Sequence, residues 1–142
     1  MTDHSGKVFP VAKPGTKAYW EACHRHELQI QRCKECGSHQ FYPRIFCSNC
    51  SSRAVEGVVA SGRGKVLTWT VVQRAVSKAY AADAPYVIAL IELQEGPVMM
   101  SKVVGCEPES VQTGMAVEVC FEDWSEEVSM PIFAPVAGEE TR

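Results

Sequence analysis

Apolar and polar side chains alternate in several separate stretches of the chain, which predicts β-strands. The clearest alternation runs through residues 115–122, where Met, Val and Phe occupy every second position. Leu28 and Ile30 alternate with glutamines in a shorter stretch that leads into Cys33. Continuous apolar or β-branched runs predict the remaining strands, at 66–72, 86–91, 98–104 and 130–133.

The strands that follow residue 54 favour a small closed barrel of the OB type over residues 54–134. Gly62 and Gly64 stand at the start of the first long strand, where glycine is typical of a bulge or a sharp bend. The segment 73–84 is too long for a tight hairpin, so we expect ligand or partner contacts there. The predicted fold class is therefore mainly β.

The N-terminal part predicts the only helix. Residues 1–15 hold two glycines and two prolines, which predicts an irregular, mobile arm. Thr16 can cap a short helix that runs through Cys23 and towards Glu27. Tyr19 and Trp20 are adjacent, so one helical face cannot bury both against the same surface. We therefore expect one of them to dock on a second surface, either the neighbouring cysteine module or a partner.

Four cysteines predict a metal site, Cys33-x2-Cys36 and Cys47-x2-Cys50 with ten residues between the pairs. In a C-x-x-C turn the backbone N–H groups point at sulfur, and Gly37 suits the positive φ of such a turn. Two such turns offer four sulfurs in a tetrahedron, which is the arrangement that structural Zn²⁺ prefers. Iron in a rubredoxin-like site is the alternative, because tetrahedral thiolate sites accept either metal. Four ligands leave no open position, so we expect this metal to be structural rather than catalytic.

Three other cysteines and three histidines could also be considered as metal ligands. The default for the three other cysteines is a small buried apolar side chain, and for the three histidines near the module it is a solvated ring. They are Cys23, Cys106 and Cys120, and His24, His26 and His39.

Composition and charge narrow the class of protein. With 46% hydrophobic and 22% charged residues the chain is predicted to be an ordinary globular protein. The longest apolar run has six residues and the first seven residues lack the apolar stretch of a secretory signal, which predicts a cytoplasmic protein with no membrane partner. Residues 1–78 contain 12 Lys and Arg against 5 acids, and residues 79–142 contain 2 against 12. This split fits an anionic ligand on one side, or simply two solvated faces that differ.

The sequence contains no G-x-S-x-G, HExxH, P-loop or GxGxxG motif. We therefore expect the chain to have no catalytic set of its own. The expected organisation is an N-terminal arm and helix over 1–27, a zinc ribbon over 28–53, the barrel over 54–134 and a tail over 135–142.

Taken in order, these motifs resemble a family of small bacterial and archaeal proteins, long labelled a domain of unknown function, in which a rubredoxin-like zinc ribbon precedes an OB-fold. The resemblance covers most of residues 19–133. It rests on Tyr19-Trp20, on 27–37 and 41–50 around the two cysteine pairs, and on 61–66, 84–89, 113–119 and Pro131-x-Phe133.

The resemblance implies a function. Many members of this family accompany thiolase-superfamily enzymes, thiolases or aldolases that make or break C–C bonds in acyl-CoA substrates. It thus implies a non-catalytic accessory subunit of a hetero-oligomer that stabilises the complex and helps to form the CoA-ester site. Degradation of aromatic, fatty-acid or steroid side chains and isoprenoid precursor synthesis fit equally well.

Coenzyme A needs cations for its phosphates and an aromatic shelf for its adenine. Strand alternation would place Lys65 and Trp69 on one face, so Trp69 could instead belong to the core. The candidate contacts with CoA or the partner are Arg63, Lys65, Trp69, Arg74, Lys78 and Tyr80, and the candidates for partner docking are Tyr19 and Trp20.

Two other classes remain open at this point. OB barrels and zinc ribbons also bind single-stranded nucleic acid, although the net charge of −3 disfavours it. A rubredoxin-like electron carrier would need iron in the four-cysteine site.

Overall fold

The zinc ribbon predicted from the cysteine spacing is built on a three-stranded antiparallel sheet. In the computed structural model, which describes His4 and residues 6–75 and 77–136, it follows helix α1 (Lys17–His24). The sheet has the order β2-β1-β3, with β1 at Gln29–Cys33, β2 at His39–Gln40 and β3 at Val55–Val59. β3 pairs with β1 along its whole length, so the sheet that carries the cysteine module includes Val55–Val59.

Five further strands close into a barrel in the order β4-β5-β6-β8-β7, which confirms the OB-type fold predicted for this part of the chain. β4 closes the barrel by pairing with both β5 and β7, and β6 and β8 form the one parallel pair described. The strands are β4 (Arg63–Val72), β5 (Tyr86–Leu93), β6 (Val98–Val103), β7 (Ala116–Asp123) and β8 (Ser129–Pro135).

A bulge in β4 changes which side chains share a face. The register shifts between Val66 and Thr68, so the bulge lies at Leu67 and not at the two glycines. Gly64 instead permits a close strand approach, because a Cβ there would lie 2.7 Å from the carbonyl oxygen of Glu92. Beyond the bulge Trp69 stands opposite buried Ala89, whereas Lys65 stands opposite half-exposed Glu92. The expectation that Lys65 and Trp69 share one face is therefore wrong.

Trp69 is also not a core residue. It faces the inner side of the sheet with Ala89, yet it keeps 36% of its surface exposed. The reason is that β7 covers β4 only from Arg63 to Lys65, so the rest of the strand has a neighbour on one edge only.

Ribbon and barrel share one hydrophobic core. Tyr19 from α1 and Leu28 and Ile30 from the start of the ribbon pack in the same buried cluster as Val66 and Phe133 of the barrel. Because burial of apolar area is the main source of folding free energy, the two parts stabilise each other.

One residue of the predicted mobile arm is fixed to the barrel part of the chain. The Lys7 ammonium lies 2.9 Å from the Asp83 carboxylate, and the Lys7 side chain is 1% exposed. Thr16 occupies the N-cap position of α1 but makes no side-chain cap bond there; its hydroxyl oxygen accepts the Lys13 N–H. The predicted tail begins inside β8, which runs to Pro135, and residues 137–142 lie outside the described part.

The described residues include no helix that is long and apolar enough to cross a bilayer.

Candidate metal centre and surrounding sites

The four cysteines of the ribbon converge on one point. The Sγ atoms of Cys33 and Cys50 are 3.6 Å apart, as are those of Cys36 and Cys47, and all four lie within 4.8 Å of one another. Four sulfurs about 2.3 Å from a tetrahedral zinc are themselves about 3.8 Å apart. The sulfur positions therefore fit a tetrahedral metal ion.

The two C-x-x-C turns have the same backbone. In the first, the Cys36 N–H points at the Cys33 sulfur at 3.5 Å; in the second, the Cys50 N–H points at the Cys47 sulfur at 3.5 Å. The residue after each pair has a left-handed conformation, with φ of 78° at Gly37 and 67° at Ser51. Glycine accepts this conformation freely, whereas serine is strained in it.

Hydrogen bonds lower the pKa of two of the four cysteines, Cys36 and Cys33. Donation from the Ser38 side chain and N–H and from Asn49 lowers the pKa of the Cys36 thiol to about 5. The backbone N–H of Cys36 likewise lowers the pKa of Cys33. At Cys50 the backbone bond from Ser52 lowers the pKa, but desolvation and the neighbouring cysteines raise it further, to about 12.

The donor set thus fits a divalent cation. Four thiolates this close repel one another, so not all of them ionise unless a positive charge lies between them. This group consists of cysteines alone; His24, His26 and His39 lie outside it among the described residues.

Two glutamines that sequence reasoning missed hold the second C-x-x-C turn in place. Buried Gln40 donates from Nε2 to Gln31 Oε1 at 2.7 Å and to the Phe46 carbonyl at 3.0 Å, and its own Oε1 accepts the Ser48 N–H at 2.7 Å. Gln31 Oε1 also accepts the Arg44 N–H at 2.8 Å. Their only signal in the sequence is a polar side chain at positions that look like ordinary strand surface.

The remaining cysteines and histidines serve other contacts. Cys23 is buried, and that burial raises the pKa of its thiol to about 11. Cys106 and Cys120 are only half-buried, unlike the expected core side chains. His26 Nε2 lies 2.8 Å from the Asp123 carboxylate, and this contact joins the residues that follow α1 to the barrel. The hydrogen bond from the Ser129 hydroxyl lowers the pKa of Asp123 most, and His26 lowers it further.

The candidate CoA contacts fall into two separate groups. Arg63 and Lys65 lie at the start of β4, where Lys65 Nζ is 3.5 Å from a Glu92 oxygen. Arg74 and Lys78 lie beyond the far end of the same strand and are exposed. About 20 Å of strand separates Lys65 from Val72, so the six candidates do not form one site.

The aromatic candidates lie elsewhere. Tyr19 is 3% exposed and packs in the core, which leaves Trp20 as the more accessible of the two helix aromatics. Both rings, together with Tyr80 from the segment between β4 and β5, line a cavity between α1 and the barrel.

Two stretches of the chain match known domains. Residues 20–56 match the ChsH2 rubredoxin-like zinc ribbon domain, and residues 57–122 match the ChsH2 C-terminal OB-fold domain.

Individual relatives point in the same direction. A DUF35 domain-containing scaffold protein of Methanocaldococcus jannaschii is 45% identical over 91 residues, which is 63% of this chain and 64% of the relative. The 3-oxo-4,17-pregnadiene-20-carboxyl-CoA hydratase alpha subunit of Mycobacterium tuberculosis is 34% identical over 126 residues, 87% of this chain but 40% of that subunit. Among solved structures, a chain of the Ltp2-ChsH2(DUF35) aldolase superposes with a TM-score of 0.80 at 31% identity, over 89% of this chain and 98% of that one.

Proposed function

The chain belongs to the ChsH2-type DUF35 family, in which a rubredoxin-like zinc ribbon is joined to an OB-fold, and we propose that it is the non-catalytic accessory subunit of a thiolase-like enzyme. The partner makes or breaks C–C bonds in acyl-CoA substrates, as a thiolase or an aldolase. This chain stabilises the complex and helps to form the site for the CoA ester.

One observation carries the proposal. The described fold covers 98% of a chain of the Ltp2-ChsH2(DUF35) aldolase at 31% identity, and that structure is named for two components, Ltp2 and ChsH2(DUF35). The alignment spans 64% of the archaeal scaffold protein, which is about as long as this chain, and 40% of the hydratase alpha subunit, which is much longer. The aldolase likeness therefore bears more directly on this chain than the hydratase name does.

The chemistry of the chain supports a non-catalytic role. Four thiolates complete the coordination of a tetrahedral ion, so a metal held by Cys33, Cys36, Cys47 and Cys50 has no position left for substrate or water. In the described part of the chain the histidine side-chain bonds go to Lys7 and Asp123, and none activates a serine or cysteine.

The metal is zinc in this proposal, because holding the two turns together is a structural role that requires no redox-active ion. Elemental analysis of the purified chain should find one zinc per molecule and no absorption in the visible range. Stoichiometric iron with a reversible one-electron couple would instead support the electron-carrier alternative.

The basic segment beyond β4 is the better of the two candidate CoA contacts. Arg74 and Lys78 are both exposed and have no described ion pair, whereas in the other group only Arg63 is without one, because Lys65 faces Glu92. Phosphate binding by free cations is stronger than by cations that must first leave a carboxylate. We place the complex in the cytoplasm, because four of the seven cysteines are assigned to the metal and the other three form no disulfide in the described structure, as expected in a reducing compartment.

Co-expression with a candidate thiolase-like protein of the same organism tests the proposal. A tag on this chain should retain that protein through size-exclusion chromatography at a fixed molar ratio. The matched control is the same partner expressed with a variant in which Cys33 and Cys47 are serines, which should retain less of it. Separate elution of the two wild-type proteins at micromolar concentration overturns the proposal.

A further inference from the structure

A cavity of about 400 Å³ lies between α1, the ribbon and the outer surface of the barrel. Its volume falls within the range of about 300–1,000 Å³ that is typical of small-molecule sites. The outer surface of a small barrel normally faces water, so an apolar recess there needs an explanation.

One wall of the cavity consists of aromatic rings from α1 and the ribbon. The ring centroids of Tyr19 and Trp20 are 4.9 Å apart at 79°, and those of Tyr19 and Phe41 are 5.6 Å apart at 65°. Tyr42 extends the same wall, with its centroid 5.3 Å from that of Tyr19. Edge-to-face contacts hold these rings in fixed orientations.

The floor of the cavity is the outer face of the barrel. Ile88 on β5 stands directly opposite Lys102 on β6, and Met100 precedes Lys102 on the same face. Tyr86 lies beside them, with its ring centroid 6.0 Å from Lys102 Nζ. The floor is therefore apolar with one cation in it.

The opposite wall is held by a buried ion pair. The Lys7 ammonium binds Asp83 at 2.9 Å and lies 5.1 Å from the ring centroid of Tyr80 and 5.3 Å from that of Trp124. Tyr80, Asp83 and Trp124 all line the cavity. Lys7 thus fixes this wall from behind, and the cavity is formed before any ligand arrives.

Besides Lys102, the charged groups that line the cavity are the carboxylates of Asp83 and Glu122, and Asp83 is paired with Lys7. Glu122 Oε1 accepts the Trp124 indole N–H at 2.9 Å and lies 3.9 Å from Lys102 Nζ. Since this Glu122 oxygen lies beyond hydrogen-bond distance of Lys102 Nζ, the N–H groups of the ammonium can donate to a ligand oxygen.

We propose that this cavity binds a flat apolar ring system that has one anionic or carbonyl oxygen, the ring between the aromatic wall and Ile88 and the oxygen at Lys102. Rings are favoured over flexible chains because rigid aromatic walls bury a rigid ligand at little cost in conformational entropy. The further step, that the ring is the acyl group of the partner's CoA ester, rests on the proposed function.

Binding of 2-naphthoate to the zinc-loaded chain alone, measured by isothermal titration calorimetry, tests the site. Trp20→Ala should weaken binding by about tenfold or more, because it removes part of the aromatic wall. The matched control is Trp69→Ala, an exposed tryptophan outside the cavity, which should leave the affinity within about twofold.

A second variant keeps the test decisive if Trp20→Ala fails to fold. Lys102→Met should weaken 2-naphthoate by about tenfold while leaving neutral 2-naphthalenemethanol almost unchanged, because only the charge-assisted bond is lost. Absence of naphthoate binding at millimolar concentration, or equal losses in Trp20→Ala and Trp69→Ala, overturns the inference. Neither result affects capture of the partner, so the proposed function is judged separately.

Discussion

At the scale of single residues, the ribbon depends on two backbone positions with the same role and different side chains. Gly37 and Ser51 each follow a C-x-x-C turn, and each donates its N–H to the carbonyl of the turn's first cysteine at 2.9 Å. Both have positive φ, which costs an L-residue about 1–2 kcal/mol and glycine almost nothing.

Exchanging the side chains at these positions should change stability in opposite directions. Ser51→Gly should raise the free energy of unfolding by about 0.5–1 kcal/mol, and Gly37→Ala should lower it by about 1–2 kcal/mol. The space beside Gly37 is open, because a Cβ placed there would have the Arg32 guanidinium as its nearest neighbour at 3.9 Å, so the cost is conformational and not steric. Denaturant unfolding of the zinc-loaded proteins measures both, and a destabilising Ser51→Gly would contradict this explanation.

At the scale of elements, the zinc ribbon is the part of the chain whose stability depends most on its metal. A three-stranded sheet with a two-residue β2 has too few contacts to hold its loops without a metal. Cys33→Ser should therefore abolish metal binding and lower the thermal midpoint by about 10 °C or more.

Cys106→Ser is the matched control for that change, because Cys106 is a half-buried thiol outside the four-sulfur group. It should retain one equivalent of metal and nearly the same midpoint. If Cys33→Ser kept its metal, the ligand set assigned to the ribbon would be wrong.

The two basic groups at either end of β4 should differ in their effect on the substrate. Replacing Arg74 and Lys78 by alanine should raise the KM of the complex for its acyl-CoA by about tenfold, because two phosphate contacts are lost. Replacing Arg63 and Lys65 by alanine should change it by less than about twofold. Steady-state kinetics of the purified complex distinguish the pairs, and the reverse order would move the CoA site to the other end of the strand.

At the scale of elements, local patterns were enough to predict most of the architecture. The cysteine pairs indicate a metal site because two residues separate the ligands of each pair. A continuous apolar run locates β5, and alternation locates β7, within two residues. The pairing of β3 with β1 was not predictable in this way, because Val55 and Cys33 are far apart in the sequence. The bulge at Leu67 was not predictable from the sequence pattern either. It places Trp69 and Lys65 on opposite faces of the sheet, where alternation had predicted one shared face.

At the scale of the whole molecule, the features that sequence reasoning missed are those built from distant segments. The cavity takes side chains from α1, the ribbon, the segment before β5 and four barrel strands. The buried ion pair that fixes one wall of the cavity joins Lys7 to Asp83, 76 residues away. No local pattern reports such a contact, whereas the shared core of ribbon and barrel makes it a fixed part of the fold.

The unequal charge distribution also acts at this scale. The first 78 residues hold 12 of the 14 Lys and Arg, and the remainder holds 12 of the 17 acids. In the proposed complex the basic part supplies Arg74 and Lys78 to the CoA phosphates. The acidic barrel strands are then available to the partner or to solvent.

The rate of C–C bond cleavage or formation by the thiolase-like partner, measured with its acyl-CoA substrate with and without this chain, tests the central claim most directly. The account predicts that the partner alone is at least about tenfold slower and that adding the zinc-loaded chain at equimolar concentration restores the full rate. Full activity of the partner in the absence of this chain would contradict it.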